Sequence, residues 1–241
     1  MKKRIETVYR YALKWRKATR LTPVVIENMK VVYYPIPKIA SSSVKSYFLE
    51  HAIKISNKNK QSLGRIHYSH YPTMPVSKAR RLAGYTSFVV VRNPAHRIWS
   101  CYQDKIVRYK ETGEPLRSAF DRYNIIFGKN FFDVDMSFEK FVSSVAKIPD
   151  WASDQHFRSQ YKYVYVHKNK VSVDRIIRLE NLDLDMRKLT NQLGLPQWDS
   201  RLLNESKARN NFPDISPEIA EKIYKRYRLD YELCGYAHEF K

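Results

Sequence analysis

Cysteine is nearly absent from this chain: Cys101 and Cys234 are the only two in 241 residues, and they stand far apart. Two cysteines build no disulfide framework, and no CxxC or Cys/His spacing suggests zinc, so a reducing compartment is the default expectation. Long apolar runs are missing too; none approaches the roughly 18 residues that span a bilayer. The opening MKKRIETVYRYALKWRKATR is basic but has no apolar core of signal-peptide length. No internal repeat, low-complexity tract or Gly/Ser-rich linker divides the chain. The G-x-x-x-x-G-K-[ST] phosphate loop is absent as well.

What is present is an ordinary globular balance, 43% hydrophobic and 28% charged, long enough for one well-buried α/β domain. Lys and Arg number 44 against 24 Asp and Glu, a net charge of +20. Such a field attracts polyanions: nucleic acid, anionic lipid, a nucleotide-like ligand or an acidic glycan. Residues 1–30 read as a basic N-terminal helical extension, with Ile5, Val8, Tyr9, Ala12, Leu13 and Trp15 loosely on one side. It is expected to cover the domain, with peripheral membrane contact the most it would make. Residues 31–241 read as a single domain.

Val31–Ile36 is β-rich and closed by proline, a buried strand. From Ser42 the spacing of Val44, Tyr47, Phe48, Ala52 and Ile55 predicts a helix. Thr86–Val91 is a second strand, and a helix from near Ala95 ends by ETGEP. The aromatic stretch Arg117–Ala152 yields one helix, Ser137–Lys147. YKYVYVH alternates like a strand, and Arg175–Glu180 reads as another. A helix over Asn181–Leu193 closes at Gly194, and a last one has Ser216 as N-cap with Pro217 at its first position. Strands alternating with helices predict an α/β fold with a central, mostly parallel sheet flanked by helices.

Two strand-to-helix connections carry the chemistry. In PKIASSS the small side chains let backbone amides of a helix N-terminus approach an anion. Ser41, Ser42 and Ser43 add hydroxyls, and Lys38 adds a point charge. A serine-capped helix after an ordinary strand would read the same way. In VVVRNPAHRIWSCYQDK, Arg92 closes a strand and Ser100 lies in the first turns of the next helix. There a guanidinium fork and a neutral donor could meet on one phosphate, although Arg92 could equally pair with a carboxylate. Two such loops after two strands put two anion sites at the carboxyl edge of one sheet, where open α/β folds bind ligands.

These two stretches resemble the cofactor signatures of sulfotransferases that use 3′-phosphoadenosine 5′-phosphosulfate (PAPS). They are nearest the carbohydrate branch of chondroitin, dermatan and uronyl/heparan 2-O type. SDQHFRSQ is similar to that family's D-x-H-x-x-x-Q segment. IIRLENLDLDMRKLTNQLGL is similar to its E-x-L…L-x-x-L-G-L stretch, and YRLDYELCGY to its closing Y-x-x-D-[FY]-x-x-[FL]-G-Y. The resemblance runs from about Val31 to Tyr236. It implies a P-loop-NTPase-like three-layer fold and PAPS as sulfuryl donor. It puts Lys38, Ala40, Ser41, Ser42 and Ser43 on the 5′-phosphosulfate, and Arg92 and Ser100 on the 3′-phosphate.

Sulfuryl transfer needs alignment and charge stabilisation, and Lys38 is placed to neutralise the leaving oxygen. No metal is called for, and no metal-ligand cluster is visible. A histidine suits the proton acceptor. Family members of the 2-O type carry theirs between the two signatures, where His70 falls at the matching distance before Arg92; His67 is the second choice. His156 reads as an acceptor-side or structural residue, and Lys207 and Arg209 as a basic loop that could touch cofactor or acceptor. The acceptor expected is a carbohydrate hydroxyl in an anionic glycan or a capsular or exopolysaccharide, with no specific nucleic acid. Many family members carry a signal anchor and cysteine pairs; their absence here leads us to expect a cytoplasmic enzyme. A nucleotide kinase of P-loop ancestry and a nucleic-acid-binding module remain as other readings, the first weakened by the missing Walker glycines. The second lacks a recognised motif.

Overall fold

The computed structural model describes residues 22–52, 73–113, 118–166, 170–171, 173–199 and 212–237. In chain order these form β1 (Val24–Ile26), β2 (Val31–Tyr34), α1 (Ser41–Ala52), α2 (Val76–Ala79), β3 (Thr86–Val91) and α3 (Pro94–Tyr102). A π-helical segment (Gln103–Val107), α4 (Arg108–Thr112), α5 (Ser118–Phe127), α6 (Phe138–Ala146) and α7 (Tyr161–Val164) follow. Then come β4 (Tyr165–Val166), β5 (Lys170–Val171), β6 (Arg175–Arg178), α8 (Leu182–Gln192) and α9 (Pro217–Cys234). Contacts divide the chain into two compact units, one drawn largely from Asn93–Ser159 and Ser206–Lys241, the other from Leu21–Arg92 and Gln160–Glu205.

The second unit is the α/β one. Its sheet runs β1-β2-β3-β6, with β1 antiparallel to β2 and the other pairs parallel. Val31–Tyr34 and Phe88–Val91 are buried at every position, as strands covered on both faces must be. Tyr33 stacks on Phe88 at 4.9 Å, and Phe48 of α1 meets the same ring at 5.7 Å. Leu182, Met186 and Leu189 bury the apolar stripe of α8, which packs against β6. The β3–β6 register is clipped where the Asp174 carboxylate accepts from the Ser87 N–H and hydroxyl, each at 2.7 Å.

The first unit is helical, with an aromatic core. Phe120, Tyr123, Phe132, Phe141 and Phe157 are each at most 1% exposed and form one cluster with residues of α3, α6 and α9. Asn93 caps α3, its side-chain oxygen accepting from the Ala95 and His96 amides. The helix continues through the π segment to α4 and stops at Gly113, whose φ of 66° takes the left-handed cap. Ser216 caps α9 with Pro217 at its first position, as the sequence indicated.

Four expectations need correction. Val24–Ile26 is a β strand rather than part of a helical extension, because three consecutive β-branched residues pair with β2 and are all buried. The remainder of the expected extension lies outside the described residues. YKYVYVH opens as a helical turn, Tyr161–Val164, and only Tyr165–Val166 is extended. Its Tyr/Val alternation misleads because adjacent Tyr163 and Val164 are both buried, which a half-exposed strand forbids. The β6 strand ends at Arg178, and Leu179–Asn181 turns 3-10 into α8. Finally, the aromatic middle holds a second helix, α5, besides α6. Among the described residues no helix is long and apolar enough to cross a membrane.

Candidate functional site

The connection from β2 to α1 is the distinctive backbone of the sheet unit. Lys38 has φ 71° and Ala40 φ 46°, both left-handed and neither glycine. That conformation costs an L-residue roughly 1–2 kcal/mol, so surrounding structure must hold it: Ile36 and Ile39, on either side of the turn, are fully buried. Residues of opposite backbone hand in alternation turn successive N–H groups toward one concave side, a nest suited to an anion. The α1 ladder begins with Val44 N–H on Ala40 C=O at 3.1 Å. The amides of Ser41, Ser42 and Ser43 therefore form the first turn, at the positive end of a helix 12 residues long.

Arg92 comes to the same loop. It ends β3, is 5% exposed, and its Nη1 donates to the Lys38 carbonyl at 3.4 Å. Its backbone is fixed on both sides by one side chain. The Arg92 N–H donates to Gln160 Oε1 at 2.9 Å, and Gln160 Nε2 donates to the Arg92 carbonyl at 2.8 Å. Gln160 is fully buried, so this pair replaces a strand neighbour just where the ladder stops. Lys45, one turn along α1 from Ser41, is 6% exposed, and burial lowers its ammonium pKa. The loop thus sets the backbone amides and hydroxyls of a helix start beside the Arg92 guanidinium.

In the helical unit the turn through 150–159 is pinned from several sides. Arg97, 2% exposed, donates to the Arg158 and Gln155 carbonyls at 2.7 and 3.0 Å. Arg226 donates to Asp150 Oδ1, Ser153 Oγ and Ser159 Oγ at 2.8–3.1 Å. Tyr123 donates to the Ala152 carbonyl and Tyr227 to that of Phe157. Within this turn Asp154 Oδ1 sits 2.5 Å from His156 Nδ1, and Oδ2 accepts from Arg122 Nη2 at 3.1 Å. Burial pushes the Asp154 carboxyl up, but the His156 bond and the Arg122 charge outweigh it and hold the pKa near 2. Asp154 is an anion under all ordinary conditions.

The predicted residues therefore fall as follows. Lys38, Ala40, Ser41, Ser42, Ser43 and Arg92 converge in the sheet unit. Ser100 belongs to the helical unit, 3% exposed on α3, and His156 to the pinned turn of that unit. His67, His70, Lys207 and Arg209 lie outside the described residues. Sequence reading missed the clamp role of Gln160, although it closes the D-x-H-x-x-x-Q stretch. It also missed Lys45, signalled only by a lysine four places after the first loop serine. Sequence reading also gave Asp154 no role, although an Asp two residues before a His can bring a carboxylate and an imidazole together across a tight turn. Among the described residues no group of three His, Cys, Asp or Glu could hold a metal ion.

A strand-to-helix loop of this kind, on a mostly parallel sheet, is the apparatus of proteins that grip phosphate groups. The wider comparison specifies which: residues 23–237 match the sulfotransferase family, and the chain belongs to that family. The chain is similar to carbohydrate sulfotransferase 11 of Rattus norvegicus and of Mus musculus. Each is 23% identical over 260 residues, spanning 92% of this chain and 70% of the relative. No solved structure matches the chain.

Proposed function

We propose that this sulfotransferase moves a sulfuryl group from PAPS to a hydroxyl of a carbohydrate, releasing adenosine 3′,5′-bisphosphate. The observation that carries the reading is the Lys38–Ser43 turn, two strained non-glycine residues aimed into a helix N-terminus with the Arg92 guanidinium beside them. Its donors fit a phosphosulfate: three first-turn amides, serine hydroxyls and the Lys38 ammonium. Lys38 neutralises charge on the bridging oxygen as the bond to sulfur breaks. Arg92 takes the 3′-phosphate, as the family resemblance implies. The sheet order and the loop are in keeping with a P-loop-like nucleotide fold that has exchanged the Walker glycines for small residues.

The relatives' name supports a sugar acceptor, and the net charge of +20 favours an anionic one. We also infer a cytoplasmic enzyme, since a chain with two cysteines builds no disulfide framework. The test is calorimetric titration with adenosine 3′,5′-bisphosphate alongside ATP, on the wild type and Arg92→Ala. Preference for the bisphosphate and a tenfold or greater loss in Arg92→Ala are expected, since bonds to charged groups contribute about 1.5–3 kcal/mol. Equal affinity for ATP would overturn the reading. Transfer of radiolabelled sulfate to desulfated chondroitin, dermatan and heparan chains then identifies the acceptor.

A further inference from the structure

We infer that the Lys45 ammonium is a further PAPS-binding group, contacting the 5′-phosphate held by the first turn of α1. The inference rests on the sulfuryl-transfer reading above, and all of its parts belong to the sheet unit. Lys45 is 6% exposed, on a stretch of α1 where Ser43, Val44, Ser46, Tyr47 and Phe48 are buried too. Lysine is rarely taken this far out of water, since its long stem normally lets the ammonium swing to the surface. Burial lowers the Lys45 pKa, so its charge is kept inside at a cost.

Helix geometry limits where that charge can go. Lys45 follows Ser41, the first residue of α1, by four positions, so the two share one face a single turn apart. Side chains on a helix lean toward its N-terminus, which carries Lys45 back over the turn of Ser41 and Ser42. At 1.5 Å of rise per residue the two are about 6 Å apart along the axis, a distance that a four-carbon stem spans. The ammonium therefore reaches the level of the first-turn amides, below the point where the ladder opens with Val44 N–H on Ala40 C=O. The neighbouring faces of α1 are taken by rings. Tyr47 meets Trp198 at 5.1 Å and Phe48 meets Phe88 at 5.7 Å.

A buried cation at the positive end of a helix is unfavourable until an anion arrives. The 5′-phosphate supplies that anion, so its binding recovers what the empty protein gives up. Removing the Lys45 charge should then act in opposite directions on the fold and on the ligand. The phosphate-free protein loses a repulsion, while the bound phosphate loses a charge-assisted partner. A lysine kept only for packing would show neither the selectivity for the 5′-group nor the opposition.

The experiment uses full-length wild type and Lys45→Met, which keeps the stem and removes the charge. Calorimetry compares adenosine 3′,5′-bisphosphate with adenosine 3′-phosphate, which lacks the 5′-group, and urea unfolding without ligand is followed alongside. Lys45→Met should bind the bisphosphate about tenfold or more weakly, with affinity for the 3′-phosphate held within about twofold. Its ligand-free midpoint in urea should hold or rise. Equal losses for the two nucleotides, or no loss for either, would overturn the inference. A variant too unstable to bind anything would overturn it as well, by assigning Lys45 to the fold. A wild type that binds neither nucleotide would instead overturn the sulfotransferase reading beneath it.

Discussion

The left-handed backbone serves opposite purposes at the ends of helices and in the β2–α1 connection. In the helical unit Gly113 and Gly235, at φ 66° and 71°, end α4 and α9, where a residue without Cβ takes the conformation at no steric cost. In the sheet unit Lys38 and Ala40 take it between β2 and α1 with side chains attached. One region relaxes where the chain must turn; the other keeps strain where amides must converge. The interiors of the two units differ as well: the helical unit packs one cluster of rings, while the sheet unit sets strand valines beside Tyr33, Phe48 and Phe88.

The largest test of that contrast lies in the aromatic core. Phe157 is fully buried, with rings of Phe120, Tyr123 and Phe132 at 6.0, 5.7 and 6.2 Å. Phe157→Ala should lower stability in urea by about 3–5 kcal/mol. A loss under about 1 kcal/mol would mean that the rings do not form a close-packed interior.

Next comes the clamp of the sheet unit. Gln160→Leu keeps bulk but strands the Arg92 N–H and carbonyl in a buried place. Each orphaned group costs about 1–3 kcal/mol, so a loss of roughly 2–6 kcal/mol is expected, together with weaker bisphosphate binding. Unchanged binding would separate the clamp from the positioning of Arg92.

Acid should act on the helical unit first. The folded pKa of Asp154, near 2, lies below its unfolded value of 3.8, so its contribution is complete above about pH 4. It is lost as pH falls toward 2, about 2 kcal/mol in all. Asp150, where Arg226 and Ser159 outweigh the upward push of burial, is shifted in the same direction and adds to the loss. Thermal unfolding between pH 5 and 2 measures the slope, and Asp154→Asn should flatten it. An equal slope in both proteins would assign the acid sensitivity elsewhere.

How much of this was legible beforehand depends on range. Strands β2 and β3, the helix starting after Asn93 and the Ser216–Pro217 cap were readable because local residues decide them. So were the two strand-to-helix connections that carry Lys38 and Arg92, since both follow β-rich runs that end abruptly. The helical turn at Tyr161 was not, because it depends on burial of Tyr163 and Val164 against residues remote in sequence. The Gln160 clamp on Arg92 joins residues 68 apart, and no local pattern announces it. The strain at Ala40 was equally invisible: an alanine before three serines looks like ordinary helix entry.

That hidden strain gives the smallest and most pointed prediction. Gly113→Ala adds a Cβ that meets nothing within 4 Å, so its only penalty is the left-handed φ, about 1 kcal/mol of lost stability. Ala40→Gly is the mirror experiment. Removing the Cβ relieves strain at φ 46°, while the extra freedom of glycine in the unfolded chain offsets part of the gain. Stability should rise by up to about 1 kcal/mol. Bisphosphate affinity should nevertheless fall two- to threefold, because a loop that can leave the left-handed state no longer holds its amides converged before the ligand arrives. If Ala40→Gly instead lowered stability, the alanine methyl would be contributing packing greater than its strain. If affinity rose with stability, the strained turn would be an accident of folding and not a preorganised cradle.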